Sequence, residues 1–112
     1  MRRPPGWRYD IHWARLDPVE GSEIGQTCPC VIVSDDIRNA ALRTVVVCPL
    51  TSALRPHWRT RLQVSCAGRP ADVCADRIRV MSKARLGEKL GCLSADEAAA
   101  LRELLTEMYG EP

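Results

Sequence analysis

The run Thr44-Val45-Val46-Val47-Cys48 constrains this chain more than any other segment. Three consecutive β-branched side chains are stiff in a helix and pack well on a pleated surface. The run therefore reads as a β-strand. Pro49 follows, has no backbone N–H to give a ladder, and is expected to end it. Cys30-Val31-Ile32-Val33 reads as a second short strand, buried in the same way. Tyr9 to Leu16 alternates, with Tyr9, Ile11 and Trp13 predicted on a core face and Asp10 and His12 on the solvent face. Arg61 to Ser65 is a further strand, Gly68-Arg69-Pro70 a turn, and Asp72 to Val80 another strand. On that last strand Cys74, Asp76, Ile78 and Val80 share the predicted core face. Asp35 to Leu42 has room for one or two helical turns.

The C-terminus changes period. Ser94-Ala95-Asp96-Glu97 fits a capping box. Leu101, Leu104, Leu105 and Met108 then fall on one helical stripe, and Gly110 is a natural stop. The prediction is a helix over 94–109. Five or six short strands and one terminal helix make a mainly β chain with a C-terminal helix, an α+β arrangement built as a small barrel or twisted sheet. At 112 residues it is a single domain, 1–112, with residues 1–8 as a flexible N-terminal arm.

Hydrophobic residues are 46% and charged residues 27%, which excludes a disordered chain. No apolar run approaches the roughly 18 residues of a membrane span. The basic start has no apolar stretch behind it, so a secretory signal is not expected and the cytoplasm is. The net charge of +2 does not by itself announce a nucleic-acid binder. Fourteen of the sixteen basic residues are Arg, whose forked guanidinium suits phosphate oxygens better than Lys does.

The six cysteines are 28, 30, 48, 66, 74 and 92. No Cys-x-x-Cys pair and no zinc-like Cys/His spacing is present, so free thiols and no metal are expected. Cys28 and Cys30 would share one face of a strand. At a rise of roughly 3.3 Å per residue their Cα atoms would lie about 6.6 Å apart, near the long limit for a disulfide.

Two polar loops carry groups suited to RNA. Ser22, Glu23 and Gln26 lie in the loop from Asp17 to Pro29; Ser52, Arg55, His57, Trp58 and Arg59 lie in the loop from Ser52 to Thr60. The family resemblance carried by the three blocks that follow implies RNA cleavage without a metal, which can use the RNA's own 2′-OH as nucleophile. The protein must then move two protons and stabilise phosphorane charge. The pKa of histidine suits His57 to proton donation at the leaving 5′-oxygen, and Trp58 can stack on a base.

Three blocks in order resemble the MazF/PemK toxin family. They are Asp10-Ile-His-Trp-Ala-Arg-Leu-Asp-Pro-Val-Glu-Gly-Ser-Glu-Ile-Gly25 closing with Pro29-Cys-Val-Ile-Val-Ser34; Thr44-Val-Val-Val-Cys-Pro-Leu-Thr-Ser52; and Asp76-Arg-Ile-Arg-Val-Met-Ser-Lys-Ala-Arg-Leu-Gly87, running on to Ser94. The resemblance implies an SH3-like barrel of the MazF/CcdB type and a homodimer. It implies a metal-independent endoribonuclease that needs no cofactor and cuts single-stranded mRNA at short sequences. A cognate, MazE-like antitoxin would cover the RNA groove; no membrane is involved. The family's catalytic pair is an Arg directly before Pro and a Thr at the end of the third strand. The Thr is Thr51. The Arg position holds Cys28, and a thiol cannot supply a guanidinium. The resemblance therefore implies either a chain inactivated by Cys28 in place of that Arg, or one in which Arg55, Arg59 or Arg77 substitutes for it. Asp76 falls at the family's acidic position facing RNA, and Arg77 where Gln is usual, which alters base preference. Two alternatives stay open on the sequence: a CcdB-like gyrase poison, and a catalytically silent RNA-binding homologue.

Overall fold

The computed structural model describes residues 7–16 and 27–111. Seven strands and two helices follow in order: β1 (Asp10–Arg15), β2 (Thr27–Ile32), α1 (Asp36–Ala41), β3 (Thr44–Thr51), β4 (Arg61–Cys66), β5 (Arg69–Cys74), β6 (Arg79–Ser82), β7 (Leu86–Cys92) and α2 (Ala95–Tyr109). They form one antiparallel, half-barrel sheet in the order β4-β5-β3-β2-β1-β7, with β6 also paired to β3.

β3 is the hub. Its first half pairs with β6 (Thr44 opposite Ser82, Val47 opposite Arg79), and its end pairs with β5 (Leu50 opposite Val73, Thr51 opposite Asp72). β2 pairs with the middle of β3, with Cys30 opposite Pro49. Alternation along the β-branched run sends side chains into two cores. Val45 and Val47 join Ala14, Leu16, Cys30, Ile32 and Met81 on one side. Cys48 and Leu50 join Ile11, Val31, Val64, Val73, Leu93 and the helix residues Ala98 and Leu101 on the other.

Four sequence expectations need correction. β3 does not end at Pro49; it runs two residues further, because the strand changes partner there and its ladder continues on β5. Residues 72–80 are not one strand. A 3-10 turn at Ala75–Arg77 separates β5 from β6, each pairing with a different part of β3. Asp76 is consequently exposed instead of facing the core, and Val80 is 65% exposed. On β1, irregular pairing with β7 on either side of His12 breaks the simple alternation. Trp13 turns outward while Asp10 and His12 are buried, His12 Nδ1 lying 3.0 Å from the Gly87 carbonyl oxygen. β7 has no clear alternation, and its Gly87 and Gly91 conceal it from a pattern reading.

The terminal helix follows the sequence closely. Ser94 caps it, accepting from Glu97 N at 3.1 Å, while Glu97 accepts in return from Ser94 N at 2.9 Å. The second Glu97 oxygen accepts from Ser65 N of β4 at 2.7 Å, so the cap also ties the helix to the sheet. Burial raises the Glu97 pKa, but the three hydrogen bonds outweigh it and hold the carboxyl below its usual value. We expect Ser94→Ala to lower stability by about 1 kcal/mol. Glu97→Ala should cost more, because it also leaves Ser65 N without its acceptor. Urea unfolding checks both. The gap between Glu97→Ala and wild type should narrow as pH falls through the carboxylate range, because protonation removes in wild type what the substitution has already removed.

Candidate active site

The loop after β3, residues 52–60, is held from below by one buried carboxylate. Asp72 of β5 is 1% exposed and stands opposite Thr51 in register. Its Oδ2 accepts from Arg55 N at 2.7 Å and from the Arg61 guanidinium at 3.4 Å. Arg61 also donates to the Ala53 carbonyl oxygen at 3.3 Å. The Trp58 ring lies against two guanidiniums, Arg61 at 4.7 Å and Arg55 at 5.8 Å from its centroid, and is 51% exposed. Trp58 N donates to the Arg55 carbonyl and Arg61 N to that of Trp58, which closes the loop on itself. Thr51 Oγ1 accepts from Ala53 N at 3.1 Å, a local turn that Thr favours at a strand end.

Cys28 lies within β2, not in the loop before it. The register of β2 on β3 runs from Cys30 opposite Pro49 to Ile32 opposite Val47, and Cys28 itself stands opposite Ala14 of β1. Residues directly opposite on antiparallel strands share a face. Three groups act on the Cys28 thiol besides its burial. The Cys30 thiol, two residues on, donates to it and is the largest influence; burial opposes; Arg79 and then Arg77 add their positive charge. The result is a thiol lowered to about 7. Arg77 projects from the exposed 3-10 turn and Arg79 from the start of β6. Neither side chain makes a hydrogen bond or ion pair with another described residue.

Arg77 and Arg79 thus act on Cys28, while Thr51 ends β3 opposite Asp72 of β5. Asp76 sits on the same turn as Arg77, exposed. Ser52, Arg55, His57, Trp58 and Arg59 follow directly on Thr51, with His57 and Arg59 exposed. Ser22, Glu23 and Gln26 lie outside the described residues. A pocket of about 260 Å³ opens beside Thr51 and Ser52, with Trp13, Pro29, Leu50 and Arg69 in its wall. Sequence reasoning missed Asp72, Arg79 and Trp13. A carboxylate inside an apolar strand is the signal that marks Asp72, since such groups are buried only when paired. Among the described residues no group of three or more His, Cys, Asp or Glu is arranged to hold a metal.

The sequence pattern of the PemK-like, MazF-like toxins of type II toxin–antitoxin systems matches residues 7–109. The chain belongs to that family. It is 34% identical to the endoribonuclease MazF9 of Mycobacterium tuberculosis (strain ATCC 25618 / H37Rv), over 94% of this chain and 92% of that one. A mycobacterial endoribonuclease solved in complex with its cognate antitoxin superposes with a TM-score of 0.81 at 25% identity, covering 98% of each chain. The Deinococcus radiodurans MazE–MazF complex in its second crystal form gives 0.81 at 23%, over 98% of this chain and 100% of that one, a likeness of fold.

Asp72 is expected to govern the loop. Asp72→Ala leaves the Arg61 guanidinium, 12% exposed, without its carboxylate. Losing one partner of a buried pair should cost about 3 kcal/mol. Asp72→Asn keeps an acceptor for Arg55 N and should cost less. Urea unfolding measures both, and amide hydrogen exchange should rise first across residues 53–60.

Proposed function

We propose that this toxin is an endoribonuclease that cuts single-stranded mRNA at short sequences without a metal ion. Membership of the PemK-like, MazF-like toxin family, with 34% identity to an endoribonuclease over 94% of this chain, carries the reading. RNA brings its own nucleophile. The 2′-oxygen bonds to the adjacent phosphorus, the bond from phosphorus to the 5′-oxygen breaks, and a cyclic phosphate and a 5′-hydroxyl result. One proton leaves the 2′-OH and one reaches the 5′-oxygen. Thr51 binds the scissile phosphate through its hydroxyl, and His57 protonates the leaving oxygen. Arg77 and Arg79 face the charge that builds on the phosphorane. Asp76 accepts from a base edge, and Arg77 shifts the base preference. Ser22, Glu23, Gln26, Ser52, Arg55 and Trp58 hold the strand, and the pocket beside Trp13 receives a splayed base. The solved complex of a similar endoribonuclease with its antitoxin supports a MazE-like antitoxin as partner here. Among the described residues no helix is long and apolar enough to cross a membrane. The proposal includes a homodimer working in the cytoplasm.

Cys28 limits the rate. It stands where the family uses a guanidinium, and neighbouring arginines lend charge without that group's position. One second reading is favoured by the same residue: an RNA-binding homologue without cleavage. We expect the chain to bind a long single-stranded RNA and to cleave it weakly in EDTA. A well-aimed donor at a developing oxyanion typically contributes about 10² to 10³ in rate, so Cys28→Arg should raise cleavage at least about tenfold. A further Thr51→Ala should abolish the gain. No cleavage by Cys28→Arg would favour the binding homologue. Efficient cleavage by the parent, unchanged by Cys28→Arg, would move the charge to another residue. A gyrase supercoiling assay run alongside should show no effect.

The dimer is tested separately. Sedimentation at micromolar concentration should give twice the 12.5 kDa chain mass. A monomer there would count against a groove shared between subunits.

A further inference from the structure

The 3-10 turn at Ala75–Arg77 arises because the two edges it runs along are unequal. On β3 only Cys48 and Pro49 separate Val47 from Leu50. On the facing edge residues 74–78 separate Val73, opposite Leu50, from Arg79, opposite Val47. The surplus chain leaves the β3 ladder, and its backbone groups need partners elsewhere. Ala75 is fully buried and finds them outside the sheet. Its N–H donates to the Thr60 carbonyl oxygen at 3.0 Å. Its carbonyl oxygen accepts from the Tyr109 hydroxyl at 2.7 Å. One residue thus joins the turn to the end of the loop 52–60 and to the last residue of α2.

The helix is built to make that reach. Leu101, Leu105 and Tyr109 recur at every fourth residue, on one helical stripe. The two leucines pack on the core beside β3, and the stripe delivers Tyr109 to the turn. Glu97 ties the start of α2 to β4, so the helix is fixed at both ends. Tyr109 is 52% exposed, yet its hydroxyl reaches the carbonyl of a residue with no exposed surface. Burial raises the pKa of that hydroxyl, and Cys48 and Asp76 add to the rise, so it stays a donor at neutral pH.

We propose that Tyr109 is a positioning residue for base recognition, its hydroxyl anchoring the turn that presents Asp76 and Arg77 to RNA. This rests on the proposed role of Asp76 and Arg77 in reading RNA. Both are exposed and follow Ala75 directly. An exposed side chain is aimed only as well as the backbone beneath it is held. With Ala75 fixed on both of its polar groups, the turn keeps one orientation toward the loop 52–60. A carboxylate distinguishes base edges only while its hydrogen-bond geometry is narrow. Without the Tyr109 hydroxyl the turn samples several orientations, and Asp76 accepts from different edges with less distinction. Tyr109 itself touches no RNA and acts through the turn.

Tyr109→Phe removes one oxygen from a half-exposed side chain and leaves the helical stripe intact. In the whole chain, amide exchange at Ala75 should speed up about fivefold, the effect of one neutral hydrogen bond. The Leu101 amide, inside α2, should not change. Affinities are then measured for single-stranded oligo(A), oligo(C) and oligo(U), in EDTA and at one salt concentration. Tyr109→Phe should narrow the spread among the three RNAs, as Asp76→Asn does, by a smaller factor. A loss of stability alone would weaken all three together and leave their ratios unmoved. Unchanged exchange at Ala75 overturns the inference before any RNA is added. A spread that moves in Asp76→Asn but not in Tyr109→Phe also overturns it, and leaves the turn's role in reading RNA standing. A spread that neither Asp76→Asn nor Arg77→Gln moves removes that role, and the inference falls with it.

Discussion

Everything in this fold is arranged around the exchange of partners along β3. One eight-residue strand meets β6, β2 and β5 in turn. Its side chains alternate between two cores, so neither face is free for solvent. Backbone groups in such a strand must find ladder partners, because an unpaired buried amide is costly. Pro49 sits at the changeover, where a missing N–H does least harm. The same changeover brings the end of β3 beside β5. The groove is a by-product of how β3 satisfies its own backbone.

Much of this was legible in the residues. Val45 to Val47 announced the central strand, and Ser94 with Glu97 announced the helix, because β-branching and capping are local chemistry. What was not legible is non-local. Asp72 to Val80 looks like one alternating strand, and nothing in it reveals that β3 needs two separate partners there. His12 reads as a surface residue until an irregular pairing with β7 turns it inward. β7 itself carries too little pattern to announce a strand. At the site, Thr51 and Cys28 were legible through the family's ordered blocks. Asp72 and Arg79 were not, since their importance lies in which strands stand opposite them.

The electrostatics of the groove rest on neighbours more than on any single group. Position 28 carries no cation, yet two arginines from the far edge of β3 act on it. A guanidinium placed by its own strand aims a fork at one point; guanidiniums reaching in from β6 and the adjoining turn supply a field. A field attracts a polyanion to the groove without ordering the reacting atoms. On the proposed function, binding and chemistry lean on different residues, and Asp72 holds the loop that follows β3.

Positions 28 and 51 sit at strand ends, while the residues that fill the two cores lie further in along the same strands. The foldable scaffold and the proposed reactive pair thus occupy different stretches of sequence, so a substitution at the rim can change the proposed chemistry without emptying either core.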